Sequence, residues 1–345
     1  CGDLRWTWAE LNARVNRVAH VLQKLGIARG DKVATLLGNC PELIEVYWAA
    51  AKIGAVVVPT STLLRGRGLA TLLQDSDATL VVTAAAYTPT LEAVRPELAA
   101  LPSERILCID RAESPLQYGD YHALAAAAPE SEPECVVEGH EPYNIMYSSG
   151  TTGLPKGIVL THDIRAAYCT TYAAAYRIHP ESVILHAGAL VFNGAFLTLM
   201  PWIFLGTTYV LLRSFDPRAL IEATRREGVT HIKMVPAQIV ALLQQPEFDQ
   251  QHLPTLQMIG SVGAPLHLEH KHALQERFPG RLYELYGLTE GFMTVLDALD
   301  LDRKLASVGI PTPFSEIKIV DEFGQEVPAG QVGEIIGRGP MLMPG

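Results

Sequence analysis

Short, unbroken apolar runs recur along the chain with helical patterns between them, and this alternation restricts the fold more than any other feature. Val33–Leu37, Ala55–Pro59, Thr79–Thr83 and Ile106–Ile109 read as strands, with helices over Pro41–Ile53 and Gly68–Gln74. After a break the pattern resumes. Ser182–Leu185, Thr207–Leu212, His231–Val235, Met258–Ser261 and Leu282–Leu285 read as strands, with helices over Pro217–Glu227, Ala237–Gln244 and Leu268–Phe278. A strand that is apolar at consecutive positions is buried on both faces, and intervening helices supply the two covering layers of a parallel sheet. So many strands, broken once, suggest two sheets packed together. The expected class is α/β: two packed, mostly parallel sheets flanked by helices, plus the start of a small antiparallel β subdomain.

The first helix is signed at both ends. Thr7 and Glu10 form a capping box, Leu11, Val15, Val18, Leu22 and Leu25 make one apolar stripe, and Gly26 sits where a terminating glycine belongs. The acidic stretch from Pro129 to Tyr143 reads as a surface run. After Asp302 the pattern shifts to strands and tight turns, with Glu316–Val320 and Gly333–Ile336 as a hairpin around Asp321-Glu322-Phe323-Gly324. The division expected is therefore 1–304 as an α/β region of two subdomains with a break near 165–185, and 305–345 as an incomplete β-rich subdomain. Cys1 at one end and Met343-Pro344-Gly345 at the other give both ends the look of cuts in a longer chain.

Size and charge exclude several classes. At 345 residues the chain exceeds one ordinary core. With 48% hydrophobic and 19% charged residues it is a folding, globular composition. A net charge of −10 provides no basic footprint for nucleic acid. Cys1, Cys40, Cys108, Cys135 and Cys169 are scattered and contain no CxxC pair, which fits reduced thiols in a cytoplasmic setting rather than a disulfide framework. His186 to Leu212 lacks Asp, Glu, Lys and Arg and is long enough to span a bilayer. Gly188, Asn193, Gly194, Pro201 and Gly206 interrupt it, so a buried helix followed by a buried strand is the better reading. His267, His270 and His272 lie close together beside Glu269, but their spacing matches no zinc quartet and reads better as a solvated helix face.

One segment concentrates chemistry: Tyr147-Ser148-Ser149-Gly150-Thr151-Thr152-Gly153-Leu154-Pro155-Lys156-Gly157. Glycines let backbone N–H groups approach phosphate oxygens, hydroxyls donate further hydrogen bonds, and lysine supplies charge. It is not a Walker loop, because Pro155 precedes Lys156 and Gly157 follows it. Composition alone serves a flexible hairpin between Ile145 and Ile158 equally well.

The segment resembles the phosphate-loop signature of the adenylate-forming superfamily, which contains acyl-CoA synthetases, peptide-synthetase adenylation domains and firefly-type luciferases. Further stretches match in order: Ala51–Pro59 (AKIGAVVVP), Gly260–Leu266 (GSVGAPL), Glu284–Glu290 (ELYGLTE) and Ser307–Pro311 (SVGIP). The chain is most similar to the N-terminal domain of an acyl- or aryl-CoA ligase, with the C-terminal lid domain beyond it. The resemblance implies an ATP- and Mg²⁺-dependent acid–thiol ligase that binds both at the subdomain interface. It makes an acyl-adenylate, releases pyrophosphate, and transfers the acyl group of a fatty or aryl acid to CoA. A carrier-protein phosphopantetheine is the alternative acceptor, and a catalytically silent nucleotide- or acyl-binding homologue is the remoter alternative. Residues 1–345 alone are expected not to complete the reaction.

The resemblance also implies roles. Ser148, Ser149, Gly150, Thr151, Thr152, Gly153 and Lys156 would hold the phosphates. Gly263, Ala264 and Pro265 would present backbone to the adenine, with Tyr286 stacking on it inside the ATP-binding run Glu284, Leu285, Tyr286, Gly287, Leu288 and Thr289. Thr289 would contact the α-phosphate, Glu290 would bind Mg²⁺ with Thr152, and Lys156, Thr289 and Glu290 would form the catalytic set. Phe192, Asn193, Gly287 and Gly309 would line the substrate pocket. Singly, Tyr286 reads as a core aromatic and Glu290 as a solvated carboxylate. Amino-acid-activating members place an aspartate where Asn193 stands. A neutral amide cannot balance a buried ammonium, whose desolvation costs several kcal/mol. Asn193 therefore argues for acids with an uncharged chain, although it also reads as a buried partner of the backbone.

Overall fold

A computed structural model describes residues 1–98, 101–113, 118–148 and 156–344. The chain divides into two compact units, one of 1–163 with 189–193 and the other of 164–188 with 194–345.

The first unit contains α1 (Trp8–Lys24), β1 (Lys32–Leu36), α2 (Pro41–Lys52), β2 (Val56–Pro59), α3 (Gly66–Asp75), β3 (Ala78–Thr83), α4 (Thr88–Glu92), β4 (Ile106–Cys108), β5 (Gly119–Asp120), α5 (Tyr121–Ala126), β6 (Pro142–Ser148) and β7 (Lys156–Thr161). Its seven strands run in the order β5-β4-β3-β1-β2-β6-β7. Every neighbour is parallel except β6 and β7, which pair antiparallel from Pro142↔Thr161 to Ser148↔Lys156. The predicted capping box is present: Thr7 Oγ1 accepts from the Glu10 N–H at 3.2 Å, and the Glu10 carboxylate accepts from the Thr7 N–H at 2.7 Å. Gly26 adopts φ +78° as the helix ends, a left-handed conformation that a side chain disfavours. Ala34, Leu36, Val56, Val58 and Val81 on the strands pack with Leu69, Leu72 and Leu73 of α3, forming the core of one sheet face.

The second unit contains α6 (His162–Tyr176), β8 (Val183–His186), α7 (Asn193–Leu205), β9 (Thr208–Leu211), α8 (Pro217–Glu227), β10 (His231–Met234), α9 (Pro236–Leu243), β11 (Met258–Ser261), α10 (Leu268–Arg277), β12 (Leu282–Gly287), β13 (Met293–Leu296), α11 (Leu301–Lys304), β14 (Ile310–Pro311), β15 (Glu316–Val320) and β16 (Glu334–Arg338). Seven strands lie in the order β14-β13-β12-β11-β10-β8-β9. From β9 to β12 they are parallel, and β13 and β14 continue antiparallel. Leu185, Ile232, Met234, Ile259 and Leu282 on one sheet face pack with residues of α8, α9 and α10, including Leu220, Ile239 and Leu274. The opposite face meets α6 and α7: the Tyr176 ring lies edge-on to Tyr283, and Gly194 lies against Lys233. Separately, β15 and β16 form a two-stranded antiparallel sheet.

The expected α/β class with two mostly parallel sheets is what the chain forms. The apolar stretch from His186 to Leu212 resolves into α7 and β9, and no helix among the described residues is long and apolar enough to cross a membrane. Helix α6 went unread in the sequence for a physical reason. Its buried stripe is Tyr168, Tyr172 and Tyr176, which carry hydroxyls and do not register as an aliphatic period.

Candidate active site

In an open parallel sheet, ligands bind beyond the carboxyl ends of the strands, where helix N-termini and connecting loops converge. In the second unit this edge carries the turns after β8, β10, β11 and β12, and two of the predicted site motifs are among them.

Gly263, Ala264 and Pro265 follow β11 and are exposed. Gly263 holds φ +93°, so the turn requires glycine for conformational reasons. The end of the loop is fixed by a buried network. The Leu266 N–H donates to Glu284 Oε1 at 3.0 Å, and Glu284 pairs with the Lys271 ammonium of α10. Lys271 also donates to the Leu305 carbonyl at 2.9 Å and the Ser307 carbonyl at 3.4 Å. One buried ion pair thus joins the loop after β11, helix α10, strand β12 and the chain entering Ser307–Pro311.

Strand β12 then delivers Tyr286, which is 37% exposed despite its strand position. Leu285 is buried, Leu288 exposed, and Thr289 and Glu290 are half-buried. The Glu290 carbonyl accepts from the Met343 N–H at 2.8 Å, while its carboxylate has no ion pair among the described residues. Two glycines here are set by contact. A β-carbon on Gly287 would come within 2.5 Å of Met293 Cγ and 2.8 Å of the Phe292 carbonyl oxygen. One on Gly309, at φ +82°, would come within 2.0 Å of the Val295 carbonyl oxygen. Close backbone packing accounts for both positions.

In the first unit, Ser148 ends β6 and Lys156 opens β7 directly opposite. The Lys156 side chain is exposed, with no ion pair among the described residues. Gly157 lies 3.0 Å, at its missing β-carbon, from Ile145 Cγ2 and 3.1 Å from the Tyr147 ring, whose hydroxyl donates to Asp75 at 2.6 Å. Ser149, Gly150, Thr151, Thr152, Gly153, Leu154 and Pro155 lie outside the described residues. Phe192 is exposed on the segment before α7, and Asn193 is the first residue of α7. This segment is held to the first unit at Leu190, whose N–H donates to Asn39 Oδ1 at 2.9 Å and whose carbonyl accepts from the Tyr47 hydroxyl at 3.1 Å.

Two features were missed in the sequence. The Lys271–Glu284 pair joins positions 13 residues apart that gave no helical or strand period to link them. Lys233 occupies the middle of an apolar strand and is only 5% exposed. Its signal was legible, since a lysine inside a run that must be buried on both faces calls for an explanation. Among the described residues no group of three or more His, Cys, Asp or Glu side chains is placed to hold a metal ion, and His270 lies 3.6 Å from the Glu269 carboxylate.

The chain belongs to the AMP-binding enzyme family, whose profile matches residues 1–345. This agrees with the resemblance to the adenylate-forming superfamily. It is 32% identical over 344 residues to a crotonobetaine/carnitine–CoA ligase of Salmonella choleraesuis, covering 97% of this chain and 65% of that protein. Among solved structures it is similar to ATP-bound MatB from Rhodopseudomonas palustris, with TM-score 0.88, 28% identity, and 98% of this chain and 66% of that one covered. It is equally similar to the inhibitor-bound N-terminal domain of FACL13 from Mycobacterium tuberculosis, with TM-score 0.88, 28% identity, and 99% and 84% of the two chains covered. The chain therefore spans about two thirds of the length of the CoA-ligase relative.

Proposed function

We propose that the protein containing this chain is an acid–thiol ligase that uses ATP to convert a carboxylic acid to an acyl-adenylate and transfers the acyl group to CoA. The observation that carries this reading is positional. The glycine turn at Gly263–Pro265 and the Tyr286–Glu290 run leave adjacent parallel strands at the same carboxyl edge, tied together by the Leu266–Glu284 hydrogen bond. Relatives named as CoA ligases support the same reading.

The chemistry asks for these residue types together. A carboxylate must approach the α-phosphorus of ATP, and two unit charges about 4 Å apart repel by about 4 kcal/mol at an effective dielectric of 20. The exposed Lys156 offers one compensating charge to the phosphates, with Ser148 and the hydroxyl- and glycine-rich residues 149–153 as further donors. Gly263, Ala264 and Pro265 present backbone to the adenine, and the exposed Tyr286 stacks on it. Thr289 contacts the α-phosphate. The site fits a hard divalent cation, because the Glu290 carboxylate is not engaged by any cationic side chain among the described residues. Glu290, with Thr152, would hold magnesium, which when bound neutralises phosphate charge. Phe192, Asn193, Gly287 and Gly309 belong to the acid side of the site. We take residues 1–345 alone, about two thirds of the relative's length, to fall short of complete thioester synthesis.

The experiment is ATP–pyrophosphate exchange by the intact protein over a panel of carboxylic acids, followed by AMP release with CoA, with a phosphopantetheine carrier protein, and with neither. Exchange stimulated by one acid and thioester formation with CoA support the reading. Release stimulated by the carrier protein alone would move the acceptor, and no exchange with any acid would overturn the assignment.

A further inference from the structure

Strand β10 places Lys233 between His186 of β8 and Gly260 of β11, in register. Paired residues of neighbouring strands point to the same face, so His186 and Lys233 face the α6 and α7 layer. Gly260 contributes no side chain there, and its missing β-carbon would sit 3.3 Å from Lys233 Cγ. The ammonium group ends 3.3 Å from where a β-carbon of Gly194 would be, with Val262 Cγ1 4.0 Å from the same point. Lys233 Nζ therefore lies against the first turn of α7, a helix of 13 residues, and beside the residue that leads into the Gly263 turn.

A cation there meets two opposing effects. Burial removes its hydration, and the aligned peptide dipoles of the helix place partial positive charge at its N-terminus. The groups that share its face offer no compensation. They are His186, Tyr209 of β9, His231 two residues earlier and Tyr283 of β12, and across the layer the Arg165 guanidinium stacks on Phe196 of α7. None is a carboxylate. Burial accordingly lowers the Lys233 ammonium to about 7, with no attractive charge acting against it. An apolar residue would serve a purely structural role at less cost. A buried lysine ammonium packed against the first turn of a helix, with no carboxylate beside it, suits an anion.

We infer that Lys233 and the first turn of α7 bind a second anionic group on the acid substrate, so that the preferred substrate is a dicarboxylic acid. This deepens the carboxylate-activation reading and rests on it. It also revises the expectation of an uncharged chain, which rested on Asn193 and on the absence of any carboxylate between His186 and Leu212. The charge reaches that segment through the sheet, from a strand some twenty residues further along the sequence. A quaternary-ammonium acid of the carnitine kind, named in the relative, meets repulsion at this position.

The test uses the intact protein, with linear monocarboxylates and α,ω-dicarboxylates of matched, increasing length, and carnitine beside them. Pyrophosphate exchange gives kcat/KM, and calorimetry without ATP gives binding of the same acids. At the best length the dicarboxylate should exceed its matched monocarboxylate by roughly 10²-fold in kcat/KM, because a buried charged group left unpaired penalises the analogue that lacks its partner. Lys233→Met should collapse that ratio to within a few-fold, acting mainly on KM, and Lys233→Arg should retain part of it. An unchanged ratio in Lys233→Met, or a wild-type preference for monocarboxylates or carnitine, would overturn the inference. If Lys233→Met does not fold, the wild-type length series and Lys233→Arg still decide. If no acid supports exchange the activation reading fails, whereas calorimetry still shows whether the second carboxylate is recognised.

Discussion

Lys271→Met should be among the most damaging single changes in the second unit, although its side chain has no assigned part in the chemistry. Lys271 and Glu284 are 4% and 3% exposed. Removing the lysine strands a buried carboxylate that still accepts the Leu266 N–H, and it deprives the Leu305 and Ser307 carbonyls of their donor. Breaking one side of a buried pair costs about 3–5 kcal/mol. For a unit of roughly 150–250 residues, each kcal/mol lowers Tm by about 2–4 °C, so the expected fall is about 6–20 °C. Scanning calorimetry and urea unfolding followed by circular dichroism would measure it. The diagnostic is the double variant. Lys271→Met with Glu284→Gln leaves no buried charge, and the glutamine carbonyl can still accept from Leu266, so stability should return to within about 1–2 kcal/mol of the parent. A single variant that lost less than about 1 kcal/mol, or a double variant as unstable as the two single losses added together, would refute the reasoning.

Other outcomes follow from the same geometry. Lys156→Ala and Glu290→Gln in the intact protein should each slow pyrophosphate exchange by about 10²-fold or more with the fold retained by circular dichroism, and near-parental rates would remove both from the site. Gly309→Ala forces a β-carbon into the Val295 backbone at a positive φ, and should cost several kcal/mol or abolish soluble expression; a Tm within about 2 °C of the parent would contradict the close packing. The His231 imidazole donates from Nε2 to the Tyr176 carbonyl at 3.1 Å, and burial lowers its pKa from 6.5 to about 4. The unfolded chain therefore binds a proton that the folded chain refuses. Stability should fall as pH drops from about 6.5 to about 4, by about 3 kcal/mol in all, and His231→Gln should flatten that part of the profile. Free α-amino acids should fail to support exchange because Asn193 supplies no counter-charge for an ammonium group, and fastest exchange with an amino acid would refute the assignment.

Much of the fold was legible because parallel sheets write themselves as apolar runs. Ala55–Pro59 is apolar at every position and flanked by glycine and threonine, which favours a buried strand, and the capping box at Thr7 fixed the start of α1. Legibility failed where burial uses side chains that look polar. The tyrosine stripe of α6 and the charged residues Lys233, Lys271 and Glu284 are all in the interior, and what surrounds them comes from elements that no local period links. The site was legible as motifs rather than as geometry. Gly287 and Gly309 stood out as pocket glycines, and the structure supplies a packing reason for each that the motif alone could not give.

The short excursion Ala189–Asn193 has a consequence for how the chain comes off the ribosome. These residues complete the first unit, yet α6 and β8 of the second unit precede them in the chain. When residue 163 has been synthesised, Asn39 and the Tyr47 hydroxyl lack the Leu190 partners that they have in the finished protein. The first unit therefore departs from the simple rule that an N-terminal domain is complete once its own contiguous stretch has emerged. Its final hydrogen bonds form about thirty residues later, when part of the second unit is already outside. Synthesis thus begins the second unit before the first has all its residues, and a nascent chain whose exposed part ends between 163 and 188 should be more sensitive to protease than one exposed to just past 193.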